Sequence, residues 1–189
     1  AFSQAFLPIL ADTKANHTEE EVKLVINHIA TKLLSVLMII TLIAVIIAPL
    51  IIFLFAWGFY FKSDAMQFQL ASNMLRITFP YLLLISLTAL SGSILNTYDN
   101  FTVPAFTPVL LNISLILCAI FLSRYLSTPI MALAWGVLIG GIAQLAFQIP
   151  FLRKIKRLPK LQFGHHKALI TLKKRMLPAL FGVSVSQIN

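Results

Sequence analysis

Few side chains in this 189-residue chain could do chemistry, and those that could are amides and prolines set among apolar runs. The segment from Asn96 to Asn112, NTYDNFTVPAFTPVLLN, holds three asparagines, an aspartate and two prolines four residues apart. Lipid cannot satisfy an amide. Asn112 is therefore expected to turn toward other helices or a wet cavity, with Ser86, Thr88, Ser91, Ser93, Gln144 and Gln148 as company, and Asn96, which ends one span, is a further cavity candidate. Pro104 and Pro108 each remove an amide donor, so the first turns of their helix are expected to be loose or bent. At 100° per residue, Pro104, Pro108 and Asn112 sweep only about 80° of helix surface. As a group beside a disrupted helix, these polar residues suggest a cavity or a moving part. Bond-breaking chemistry has little to work with: the sequence shows no intramembrane carboxylate pair, no metal-spaced His/Cys cluster, no Gly-rich phosphate loop and no Ser–His–Asp arrangement. His165 and His166 adjoin each other in a basic stretch, where solvation is commoner than metal ligation, and Cys118 sits mid-run, where it packs as a small apolar residue. No catalytic residue, metal or cofactor is expected, and the protein is not expected to be an enzyme.

The elements that must position these residues follow from composition. The chain is 59% hydrophobic and 11% charged with a mean hydropathy of +0.89, whereas soluble domains carry about a quarter charged residues. Charge-free runs over 33–61, 77–98, 101–123 and 129–152 each exceed the roughly 20 residues that cross a bilayer as helix, and none shows the strict alternation of a membrane strand. The expected fold is all-α, a polytopic transmembrane helix bundle. Around the spans, residues 1–10 read as the end of a transmembrane helix, 11–32 as a loop with an amphipathic turn, 153–175 as a basic loop and 176–189 as the start of another span. An internal piece of a longer, transporter-sized protein is expected from those two truncated spans. Thr18 followed by Glu21 forms a capping-box pattern that leads into the first complete span. That span is long, about 43 Å at 1.5 Å per residue against a hydrocarbon core of about 30 Å, so it must tilt, project or bend at Pro49. Gly92, flanked by serines, and the Gly140–Gly141 pair offer small faces for close helix contact, while Trp57, Tyr60 and Tyr125 fall where an interfacial aromatic belt would put them.

Charge sets the orientation. Of the 15 Lys and Arg residues, twelve fall in segments on one side (Lys14, Lys23 and Lys32, then nine from Arg153 to Arg175) and three on the other (Lys62, Arg76 and Arg124). By the positive-inside rule the first side is cytoplasmic. The nine-cation run contains no acid, which resembles nucleic-acid or lipid-binding tracts, but it has few aromatics for stacking bases and lies beside a span, so no nucleic-acid partner is expected. Leu169, Leu172 and Met176 within it are spaced for a short helix on the leaflet surface.

Four stretches carry a family resemblance: AFSQAFLPILAD, ITFPYLLLISLTALSGSILNTYDNFTVPAFTPVLLNIS, ALAWGVLIGGIAQLAFQIP and GVSVSQI. Together, in order and spacing, they resemble the MurJ/MviN family, bacterial lipid II flippases of the multidrug/oligosaccharidyl-lipid/polysaccharide exporter superfamily. That resemblance implies fourteen helices in two lobes around a hydrophilic cavity, in the bacterial inner membrane, moving the undecaprenyl-pyrophosphate-linked precursor of peptidoglycan between leaflets by alternating access. On this scheme the chain looks like the end of helix two, helices three to six, the inter-lobe loop and the start of helix seven. Ser3 and Gln4, and Ser184, Ser186 and Gln187, match segments that border the family's cavity. The family's substrate-holding arginines lie mainly in segments that this chain does not contain.

Other readings remain open at this level. An exporter of another polyprenyl-linked glycan would use the same bent helices and polar edges. A membrane scaffold that recruits cell-wall synthesis proteins through the basic loop is an alternative of a different class, and a membrane enzyme acting on a lipid pyrophosphate is a more distant one.

Overall fold

In a computed structural model of the chain, the described residues are 2–55 and 65–162. They form seven α-helices and one short 3-10 turn, with no strand among the described residues: α1 Phe2–Asn16, α2 Glu19–Ile46, α3 Ala48–Phe55, α4 Ala65–Thr78, α5 Pro80–Thr97, α6 Thr102–Ile120 and α7 Met131–Lys154, the 3-10 turn being Leu122–Tyr125. Four stretches are long and apolar enough to cross a membrane: Glu19–Ile46, Met66–Thr97, Thr102–Tyr125 and Met131–Lys154. The chain is a multi-pass membrane protein. Trp57, Tyr60, Leu169, Leu172, Met176 and the paired histidines lie outside the described residues.

Local chemistry explains the helix ends. At the start of α2 the Thr18 N–H donates to Glu21 Oε2 (3.1 Å) and the Glu21 N–H to Thr18 Oγ1 (3.4 Å), a reciprocal capping box. Glu19, Glu20 and Glu21 then fill the first turn, where carboxylates complement the helix dipole. Proline sets two interruptions. Ile47 breaks the run between α2 and α3 just ahead of Pro49, and Phe79 separates α4 from α5, where Pro80 takes the first helical position, for which its fixed φ suits it. The polar stretch up to Arg76, expected as a loop, is helical from Ala65 on. Phe68, Ser72, Leu75 and Thr78 recur at helical spacing on its less exposed side, and the Ser72 and Thr78 hydroxyls donate back to the carbonyls of Phe68 (2.8 Å) and Met74 (2.9 Å).

Loose first turns were expected for the helix bearing Pro104 and Pro108, yet α6 is unbroken from Thr102 to Ile120. The reason is position. Pro104 is the third residue of the helix, where the amide would have no helical partner anyway, so only Pro108 deletes a bond of the ladder. Both α5 and α7 end in Schellman motifs. Asp99 (φ 59°) and Lys156 (φ 58°) occupy the left-handed position usually taken by Gly. The Asn100 N–H then reaches Leu95 O and the Arg157 N–H reaches Leu152 O, both at 2.9 Å.

The chain divides into two compact units, residues 1–34, 86–106 and 145–189 forming one and 35–85 and 107–144 the other. In the first, Phe6, Leu10, Val22, Ile26, Leu90, Ile94, Leu95 and Leu152 form the apolar core, with Tyr98, Phe147, Phe151, Ile155 and Leu158 at its margin. Here Gly92 allows α5 to approach α6 closely, since a Cβ at that position would lie 3.2 Å from Pro104 Cβ. In the second unit, α3 packs on α4, and α6 packs on α7 along Gly136 and Gly140. A Cβ on Gly140 would meet Leu111 Cδ1 at 2.7 Å, and one on the adjacent Gly141 would meet Tyr81 Cδ2 of α5 at 2.7 Å, so neighbouring glycines serve different helices. Large apolar side chains such as Ile39, Ile46 and Leu54 are exposed, as a lipid-solvated surface requires.

Candidate functional site

The amides singled out in the sequence separate into two kinds. Asn112 is exposed on α6, between the exposed apolar residues Val109, Ile113 and Ile116. Its expected company does not surround it. Thr88, Ser91, Ser93, Gln144 and Gln148 are buried and Ser86 is half-buried. The Ser93 hydroxyl bonds Ala89 O (2.9 Å), and Thr97 bonds Ser93 O (2.8 Å), each one turn back along α5. Gln144 Nε2 donates to Thr107 O (2.9 Å), and Ser114 Oγ to Gly136 O (2.8 Å), tying α6 to α7. Helix geometry accounts for the separation. The contact face of α6 runs through Thr107, Leu111, Ser114 and Cys118, and at 100° per residue Asn112 stands about 100° or more from each of them. Pro108, also exposed, precedes Asn112 by one turn on the same stripe. The resulting face is apolar except for one amide, and none of the described residues covers it.

Asn96 is half-buried near the end of α5, and its carbonyl accepts the Asp99 N–H (3.1 Å) in the α5 cap. Ser3 and Gln4 fall in the first turn of α1, their side chains lying outside the described set, and Ser184, Ser186 and Gln187 lie outside the described residues. Arg76, on α4, is exposed and reaches Asn73 Oδ1 at 3.5 Å. It is a cation within the long Met66–Thr97 stretch, although the four spans read from the sequence were free of charge. Among the described residues no group of three His, Cys, Asp or Glu side chains could hold a metal ion.

Sequence reasoning missed a second polar set, at the ends of α1, α2, α5 and α7 in the first unit. Arg157, whose side chain is 11% exposed, pairs with the Glu19 carboxylate. Its Nε donates to Tyr98 Oη (2.6 Å) and its Nη1 to Glu19 O (3.2 Å). Lys14 Nζ donates to Thr97 O (2.8 Å) and lies 4.4 Å from the Tyr98 ring centroid, so the ring is flanked by two cations. Burial lowers the Arg157 pKa and raises that of the Tyr98 hydroxyl. Neither change alters charge near neutrality, since a guanidinium is not deprotonated in proteins and a phenol is already neutral. Beside this set, buried Asn27 and Thr31 of α2 hold residues 160–162. Partners more than 130 positions apart leave no periodic trace. The one available signal was two polar residues, four apart, inside the apolar face of Val25, Ile26, Ile29 and Ala30.

A family model described as lipid II flippase MurJ matches residues 1–189. A Burkholderia cenocepacia protein named lipid II flippase MurJ is 39% identical over 194 residues, covering 100% of this chain and 37% of its own length. Proteins of Haemophilus influenzae and Vibrio cholerae, each named probable lipid II flippase MurJ, are 40% and 43% identical over 195 residues, again across 100% of this chain and over 38% and 37% of their own lengths. The chain thus spans a little over a third of the length of the relatives it matches. With the match running from the first residue to the last across an all-helical, multi-pass membrane chain, it belongs to the MurJ family of lipid II flippases.

Proposed function

We propose that the protein carrying this chain flips lipid II across the bacterial inner membrane by alternating access, and that this chain supplies part of the first of two helical lobes. The observation that supports this reading above all is the family match over the whole chain. The physical demand is plain. The polyprenyl tail is solvated by the bilayer throughout, while the sugar-pyrophosphate head needs a polar path that lipid cannot provide. Asn112 belongs to that path. It is an amide on a face that none of the described residues covers, so another part of the protein, or the wet cavity, takes the place of lipid there. Pro108, one turn away, removes one ladder bond and makes α6 locally compliant, with Pro104 holding the helix entry. Asn96, Ser3, Gln4, Ser184, Ser186 and Gln187 complete the set of cavity-edge residues. Residues 153–175 face the cytoplasm, in keeping with the twelve-to-three division of cations. Transport, with no bond broken in the lipid, is the whole of the reaction.

Asn112→Leu in the full-length protein tests the placement. A cavity-facing amide predicts at least a fivefold loss of lipid II translocation at equal expression, measured in cells depleted of their own flippase. Unchanged translocation together with a higher melting temperature would put Asn112 in lipid and end its assignment.

A further inference from the structure

After the α7 cap at residues 155 and 156, residues 157–162 form no regular secondary structure and lie along α2. The backbone N–H groups of Lys160 and Gln162 donate to Asn27 Oδ1 and Thr31 Oγ1, both at 2.9 Å. The spacing matches: two extended residues advance about 6.6 Å and four helical residues about 6 Å, so alternate amides of the segment meet successive turns of the helix. Both side chains donate as well as accept. Asn27 Nδ2 also donates to Gln162 Oε1 (3.1 Å), and the Thr31 hydroxyl donates to Asn27 O (2.7 Å) while accepting from Gln162. Pro159 has no N–H to satisfy and keeps the preceding residue extended. At the near end Arg157 is held by Glu19 and Tyr98. Asn27 and Thr31 are 6% and 3% exposed, and buried polar groups of this kind are costly unless paired. A passive connection needs no such sockets, because a chain leaving a helix end can run through solvent.

We propose that residues 155–162 are a docked strap that transmits displacement of the chain beyond Gln162 to α2 at Asn27 and Thr31 and to the end of α5 at Tyr98. Any force that arrives at Gln162 is then delivered to the side of α2 and not to the end of α7. The proposal rests on the transport reading for its purpose, but the docking itself is measured separately.

The test uses the full-length protein in membrane vesicles with the basic segment accessible. Asn27→Ala combined with Thr31→Val should speed tryptic cleavage after Lys160 at least tenfold and cut lipid II translocation at least fivefold. A second variant replaces the lost hydrogen bonds with a covalent link: Thr31→Cys with Gln162→Cys, in a background carrying Cys118→Ala, should oxidise readily to a disulfide and keep translocation near that of the reduced form. Equal cleavage rates, or failure of the disulfide to form, would show that the strap is not docked. Accelerated cleavage with unchanged translocation would refute transmission, as would loss of translocation on locking the disulfide. A protein that moves no lipid II even without substitution would overturn the transport reading alone, because cleavage and crosslinking still report the docking.

Discussion

Gly140→Val puts the closest helix contact in the second unit to a quantitative test. A Cβ on Gly140 would lie 2.7 Å from Leu111 Cδ1, 3.2 Å from Leu111 Cα and 3.3 Å from Ser114 Cβ. The first contact can be relieved by turning a flexible side-chain end, but the second is backbone, so α6 and α7 must separate. Overpacking of this kind costs about 1–3 kcal/mol. Separation also stretches the Ser114–Gly136 and Gln144–Thr107 hydrogen bonds, now 2.8 and 2.9 Å, each worth roughly 0.6 kcal/mol between membrane helices. Against this, replacing Gly in a helix interior returns only a few tenths of a kcal/mol when the newcomer is β-branched. The net expectation is a loss of about 2–4 kcal/mol, with Gly140→Ala intermediate. Thermal or denaturant unfolding of the purified full-length protein in detergent measures it. If Gly140→Ala were more stable than the parent by the ~1 kcal/mol that helix propensity alone supplies, and Gly140→Val equal to it, the close approach of α6 to α7 would be refuted.

Two further substitution sets probe the helix ends. The Glu21 pKa is lowered chiefly by the Thr18 backbone N–H and next by His17. Its contribution is therefore present above the unfolded value of about 4.5 and is lost as pH falls through the lower folded value. Amide exchange at residues 18–22 should accelerate over that acidic interval, and Glu21→Gln should abolish the pH dependence. Lys156→Gly should raise stability by about 1 kcal/mol by relieving a left-handed backbone that disfavours a β-carbon, and Asp99→Gly should raise it less, since Asp tolerates that region. Unfolding midpoints that leave both unchanged would argue against the two Schellman caps.

The helical, membrane-spanning character was legible because it follows from run length and from the demand that every backbone amide in lipid be satisfied within its own segment. The capping box at Thr18 and Glu21 is local too, since its residues lie within one turn of each other. The helix from Ala65 to Thr78 was harder to read, because its apolar face is interrupted by Ser72, whose hydroxyl turns back onto its own helix. The charged knot around Arg157 was invisible in the sequence.

Sequence alone thus determined that the chain is helical with four stretches apolar enough to cross a membrane, and it set the relative azimuths of residues on each helix, since both depend on neighbours a few positions away. It left the absolute facing of those helices open. Tertiary structure decided that Gln144 turns to the Thr107 carbonyl while none of the described residues covers Asn112, that adjacent glycines serve different helices, and that Asn27 and Thr31 grip residues 160–162. A helical wheel fixes angles only within one helix, whereas the partner that occupies a face is set by contacts between segments far apart in the chain, and these have no period to read.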